Sequence, residues 1–185
     1  MDAGNRGTRR IVVGVSGSLG SIAALHHAVE RARCTGAEVL AVLAWEPPGG
    51  EYGYRRAPCP SLLDTCRQLA EERLRTAVET AFACCPADVR LSTLVVRGRP
   101  DEVLVRTADR EDDLLVVGRG PRSLLRRVVH RPVVAPCIAR ASCPVLVVPQ
   151  PPLLRDLEAV HRRNAWRLPL AARELGEESQ GRSLR

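Results

Sequence analysis

The chain reads as an α/β protein, a doubly wound, five-stranded parallel sheet. Three observations predict this. Short apolar runs rich in Val, such as Ile11-Val12-Val13-Gly14-Val15, Leu114-Leu115-Val116-Val117 and Val145-Leu146-Val147-Val148, stop at Gly or Pro, as strands buried on both faces do. Segments of helical length separate the strands, so that β alternates with α along the chain. Aromatic residues make up only 3% of the chain against 45% hydrophobic residues, so the core must be built from Val, Leu, Ala and Ile.

The elements follow in order. Residues 1–8 are polar and are expected to be a disordered leader, and the domain is expected to span 9–149. Strand one is Ile11–Val15. Ser16-Gly17-Ser18-Leu19-Gly20-Ser21 is a glycine-serine turn in which Ser18 or Ser21 can cap the next helix. That helix runs to about Arg33, with Ile22, Leu25, Ala28, Val29 and Ala32 at helical spacing. Strand two is Glu38–Trp45. Residues 46–60, rich in Pro, Gly and Tyr, read as a long irregular loop, the kind that often serves as a lid or binding loop. The second helix spans Ser61 to about Ala83, with Leu62, Leu69, Leu74, Ala77, Val78 and Ala81 expected inward and Pro86 as its stop.

Asp88–Val96 alternates and suggests an outer third strand. Pro100 then sits near the first turn of a short helix, where Asp101 and Glu102 meet the positive dipole end. Strand four is Leu114–Val117, a fourth helix is expected at about 133–140, and strand five is Val145–Val148. Residues 150–185 read as a C-terminal extension, with one amphipathic helix at about 153–165 (Leu154, Leu157 and Val160 on one side) and a frayed tail.

Charge narrows the chemistry. The formal net charge is +7, and all 28 basic residues are Arg. With no Lys, a Walker-type lysine, a Schiff-base lysine and a lysine general base are all excluded. Arg still supplies bidentate recognition of phosphate and carboxylate. Between strands four and five lie six arginines (119, 122, 126, 127, 131 and 140) and no carboxylate. In such sheets ligands bind where strand carboxyl ends meet the following loops, so an anionic ligand or an acidic protein partner is the expected kind of partner. Interleaved aromatics and any nucleic-acid-binding motif are missing, which disfavours nucleic acid.

Seven cysteines (34, 59, 66, 84, 85, 137 and 143) form no CxxC pair and no ligand-like framework. They read as free, mostly buried thiols of a cytoplasmic protein, with no metal site. No apolar run reaches the ~18 to 20 residues of a membrane span. Ser16 lacks the second glycine of a nucleophile elbow, because residue 18 is Ser. None of His26, His27, His130 and His161 has a spacing that marks it as its base. The turn from Gly14 through Gly17 to Gly20 has the place of a phosphate cradle, at the end of a strand and the start of a helix, but not the GxGxxG spacing.

The runs Ile11–Ala24 (IVVGVSGSLGSIAA), Leu114–Gly118 (LLVVG) and Cys143–Pro149 (CPVLVVP), in this order and at this separation, resemble the universal stress protein family. The resemblance implies a Rossmann-like sheet of the adenine nucleotide alpha hydrolase type, in the order 3-2-1-4-5. It also implies a homodimer formed through strand five, with Val145, Leu146, Val147 and Val148 at the interface.

Many members of that family bind ATP, using an Asp after strand one and a Gly-rich motif after strand four. Here Ser16 stands at the Asp position. Gly118 is the motif's first Gly, its second falls on Pro121, and its closing small pair falls on Arg131-Pro132. Prolines lack the N–H a phosphate needs. The resemblance therefore implies a regulatory stress-response module that is not an enzyme and does not hold ATP in the usual way. The positions expected to line its pocket are Gly14, Val15, Ser16, Ala44, Gly118, Arg119, Arg122, Arg131 and Val133. ATP or AMP gripped by Arg side chains, with weak ATPase activity, is the alternative reading. A third reading is an interaction protein that docks an acidic partner through its basic loop.

Overall fold

The computed structural model describes residues 9–82, 88–119 and 133–149. The expected leader, the basic loop from 120 to 132, Pro86 and the C-terminal extension lie outside the described residues. Five parallel strands, β1 (Arg10–Gly14), β2 (Glu38–Trp45), β3 (Leu91–Arg97), β4 (Leu114–Gly118) and β5 (Val145–Val148), form one sheet in the order β3-β2-β1-β4-β5. The expected order is the observed one.

The sheet is apolar on both faces because helices cover both. Helix α1 (Leu19–Thr35) and helix α3 (Pro60–Phe82) bury Leu25, Ala28, Val29, Leu74 and Val78 against Ile11, Val13, Val39 and Val116. Helix α4 (Pro100–Thr107) and helix α5 (Val134–Arg140) bury Val103, Leu104 and Cys137 against Val12, Val42, Leu115 and Val117. Successive β1 residues thus feed opposite cores, as the period of two requires.

Three sequence expectations shift. The segment 46–60 is not wholly irregular: it contains helix α2 (Gly50–Arg56). Its start is a turn in which Gly49 and Gly50 take φ of 77° and 68°, a conformation that glycine adopts without strain. Glu51 in its first turn and Arg55 and Arg56 in its last complement the helix dipole. The inner face of α3 holds at Leu74, Ala77, Val78 and Ala81 but differs in the first half of the helix. Leu62 and Leu69 are exposed, and the buried stripe runs through Ala70, Leu74, Ala77 and Val78. Leu69 lies about 100° around the helix from Ala70, which is enough to turn it to solvent. The third strand begins at Leu91, where its pairing with Val39 of β2 starts, and Asp88 lies before it in an ion pair with Arg33 of α1.

Two contacts close the β1–β4 pair at its ends. At the amino ends, Arg10 Nε and Nη2 donate to Asp113 Oδ1 and Oδ2 at 3.1 and 2.7 Å. Nη2 also reaches the Thr107 carbonyl at 2.9 Å and Asp109 at 2.7 Å. Asp113 is 2% exposed and also accepts the Arg110 N–H at 3.2 Å. At the carboxyl ends, Gly118 meets the first turn of α1 so closely that a Cβ on it would stand 2.2 Å from the Gly20 carbonyl oxygen.

Both contacts make measurable predictions. Gly118→Ala must push α1 from β4, and urea unfolding should show a loss of about 3 kcal/mol, as overpacked sites do. Asp113→Ala leaves the Arg10 guanidinium half-buried without its main partner. The same measurement should show a loss of about 3 to 5 kcal/mol, the range for one-sided removal of a buried ion pair.

Candidate functional site

The sequence places the site where β1 and β4 end side by side, and the backbone brings most of its residues there. Gly14 pairs with Val117 and Gly118 with Val148 in the sheet register. The Val15 N–H donates to the Val42 carbonyl at 2.8 Å, so the chain leaves β1 still held to β2. Val15 is buried, while Ser16 and Arg119 are exposed. Ala44, near the end of β2, and Val133, the residue before α5, are half-buried against the core that α4 and α5 cover. Arg122 and Arg131 lie outside the described residues.

The turn after β1 spends its own polar groups. Ser18 is the N-cap of α1, and its Oγ accepts the Ser21 N–H at 3.3 Å. Ser21 Oγ–H donates to the Ser18 carbonyl at 2.7 Å and accepts the Ser16 N–H at 3.2 Å. Ser16 Oγ lies 3.0 Å from Ser18 Oγ. Of the two serines that could cap the helix, Ser18 does so, and Ser21 ties the turn together from inside. Ser16 thus has a serine hydroxyl, not an imidazole, as its partner. His26 packs edge-on against Phe82 with ring centroids 5.0 Å apart, and His27 faces Glu30.

Two glycines have packing duties here. Gly14 lies against Leu104, whose Cδ1 would be 2.8 Å from an added Cβ. Gly118 is required by its contact with Gly20, which accounts for that residue whether or not a phosphate binds. Gly17 has φ of 77°, and the stem of Arg73 from α3 passes 3.3 Å from the position of its missing Cβ. Arg73 is a basic neighbour of the site that sequence spacing did not reveal. Its only signal was its place one residue before the buried Leu74.

The described clefts lie elsewhere. One of about 220 Å³ is lined by Val96, Arg97, Gly98, Arg99, Glu102, Val103, Arg106 and Thr107. The other, about 400 Å³, is lined by Trp45, Leu63, Asp64, Arg67, Val95 and Arg97. The first sits between the carboxyl end of β3 and α4, the second at the carboxyl ends of β2 and β3 beside α3.

Five of the seven cysteines lie among the described residues. Cys34 and Cys59 are exposed, Cys66 is half-buried and only Cys137 and Cys143 of the described five are buried, fewer than expected. Ser61 and the Leu62 N–H hold the Cys59 thiol below its ordinary value. Burial pushes Cys137 up to about 11, so it stays a neutral thiol near pH 7. Among the described residues no group of three His, Cys, Asp or Glu side chains is placed to hold a metal ion. No described helix is long and apolar enough to cross a membrane.

Known structures repeat this architecture. The universal stress protein UspA from Lactobacillus plantarum is 22% identical, with a TM-score of 0.59 over 76% of this chain and 97% of its own. A hypothetical protein solved as a structural-genomics test of assigning biochemical function from structure is 18% identical, with a TM-score of 0.57 over 77% of this chain and 96% of its own. At such identities the likeness establishes the fold. The sequence model of the universal stress protein family matches residues 7–149, which takes in all five strands and the turn that Ser18 caps. On that match, well over half of its length, this chain belongs to the universal stress protein family.

Proposed function

We propose that this universal stress protein is a regulatory, stress-response binding module without catalytic activity, and that it does not hold ATP through a backbone cradle. The observation that carries the reading is the state of the turn after β1. The Ser16 and Ser21 N–H groups are already bonded within the turn, and a hydroxyl stands where ATP-binding members of the family have an Asp. A serine hydroxyl cannot supply a carboxylate to a ribose or a metal. After β4, Pro121 and Pro132 have no N–H to offer, and Arg131 replaces a Gly that would let the backbone approach.

A second reading rests on charge. Arg119 is exposed at the end of β4 and Arg73 lies beside Gly17, so guanidinium groups flank the turn from two elements. Together with Arg122 and Arg131 they are the groups that would grip a nucleotide phosphate by side chain. Isothermal calorimetry with ATP, AMP and cyclic AMP separates the two readings. The first expects no heat at millimolar nucleotide. Heat that disappears in Arg119→Ala would replace it with the second.

For assembly, we propose a homodimer through β5. That strand is a sheet edge, with Leu146 39% exposed. Ile138 of the adjoining helix α5 is 58% exposed. An edge with open N–H and C=O groups and apolar side chains is a template for pairing. Sedimentation velocity should show a dimer at micromolar concentration, and Leu146→Arg should shift it to monomer by ten-fold or more in Kd. A wild-type chain that sediments as a monomer would remove this assignment.

A further inference from the structure

The larger cleft has the composition of a binding site that the family reading does not use. β2 and β3 end together, with Trp45 paired to Arg97 in register and the Gly98 N–H donating to the Trp45 carbonyl at 2.8 Å. Trp45, Val95 and Leu63 give the cleft an apolar surface, and Asp64, Arg67 and Arg97 give it three charged groups. Its volume of about 400 Å³ suits a small molecule.

Arg97 is already at work there as a carboxylate receptor. Its Nε and Nη2 donate two bonds of 2.7 Å each to Oε1 and Oε2 of Glu51. The Tyr54 ring centre lies 4.7 Å from its guanidinium carbon. This parallel, two-pronged geometry is the one in which Arg takes up a free carboxylate.

The carboxylate it holds belongs to α2, and α2 is weakly anchored. No residue of α2 is buried, and its N-cap Gly49 and first residue Gly50 both lie in the left-handed region. The side chains of Arg97 and Glu51 are 33% and 39% exposed, so solvent and solutes reach the pair. Helix α2 thus presents Glu51 to Arg97 much as a tethered ligand would.

We propose that the cleft at the ends of β2 and β3 binds a small amphipathic carboxylate, with Arg97 as the receptor and Glu51 of α2 as a built-in competitor that occupies it when no ligand is bound. The apolar body of the ligand packs on Trp45, Leu63 and Val95, and its carboxylate takes the place of Glu51. Ligand binding and docking of α2 are then linked, each opposing the other by the same factor. Because α2 buries no side chain, its release leaves both cores intact. The site lies at the ends of β2 and β3 and shares no lining residue with the expected nucleotide pocket.

The test uses the full chain with Trp166→Phe, so that fluorescence reports Trp45, titrated with 4-phenylbutyrate and with its neutral amide. Glu51→Gln should bind the acid about three-fold more tightly, in the range of exposed ion pairs. Arg97→Gln should lose binding, and the amide should bind at least ten-fold more weakly. Saturating acid should speed hydrogen exchange at 50–56 and leave the sheet unchanged. If Arg97→Gln fails to fold, Arg97→Lys, which keeps the charge and loses the fork, must weaken binding instead. No binding to Glu51→Gln, equal binding by folded Arg97→Gln, or equal binding of acid and amide overturns the proposal. Nucleotide calorimetry on the same variants should be unchanged, which keeps this result separate from the nucleotide question.

Discussion

The tightest constraint in the fold is the approach of β4 to the first turn of α1. Gly118 has no side chain, and the Gly20 carbonyl occupies the space a methyl would need. Two strands that leave a doubly wound sheet in opposite directions open a crevice at their carboxyl ends. Here backbone meets backbone across that crevice, so its floor is set before any ligand is considered. The serine turn above it is rigid for a related reason. Ser18 caps the helix and Ser21 bonds both to the Ser18 carbonyl and to the Ser16 N–H, so the main chain between β1 and α1 has little freedom.

The opposite end of the same strand pair is held by charge instead of contact. Arg10 lies on β1, Asp113 directly precedes β4, and Asp109 follows α4, so one guanidinium ties three segments together. A buried carboxylate is tolerable because its oxygens meet the guanidinium fork and a backbone N–H. On the α4–α5 side, Asp101 does similar work: it is 5% exposed and accepts from both Arg99 at 3.0 Å and Arg140 at 2.9 Å. Arg10, Arg99 and Arg140 are thus committed to buried carboxylates, so these three do not add to the free basic surface.

Much of this architecture was legible in the residues. The VVG and VLVV runs locate buried parallel strands because only such strands dispense with polar alternation, and Pro100, Asp101 and Glu102 mark the start of α4. What was not legible depended on distance in space. Helix α2 hides in a segment of Gly, Pro and Tyr, since its support comes from Arg97, about fifty residues away in sequence. Leu62 and Leu69 look like core residues until the phase of α3 is set by packing on β2. Arg73 reaches Gly17 only because α3 and α1 share one face of the sheet. At the candidate site, sequence placed Gly14, Val15 and Ser16 at the end of β1 and Gly118 and Arg119 at the end of β4, where the backbone has them. It could not tell that Gly118 is required by Gly20, a contact that supplies a packing reason for the one glycine retained from the phosphate motif.

The two halves of the sheet therefore differ in what they leave free to act. After β1 the Ser16 and Ser21 N–H groups are bonded within the turn, and Gly14 and Gly118 are engaged in close packing, which shifts the holding of any ligand there toward flexible guanidinium groups. Each such group loses rotamer freedom when it is fixed, a cost a preformed backbone cradle does not carry. At β2 and β3 the opposite holds. Arg97 is already oriented by Tyr54 and by a carboxylate, an apolar surface lies next to it, and the segment that fills the receptor is held by solvent-accessible contacts. Preorganised recognition with a displaceable internal competitor favours exchange over tight retention. Among the described residues, the end of β3 is thus where an arginine fork already holds a carboxylate beside an apolar surface.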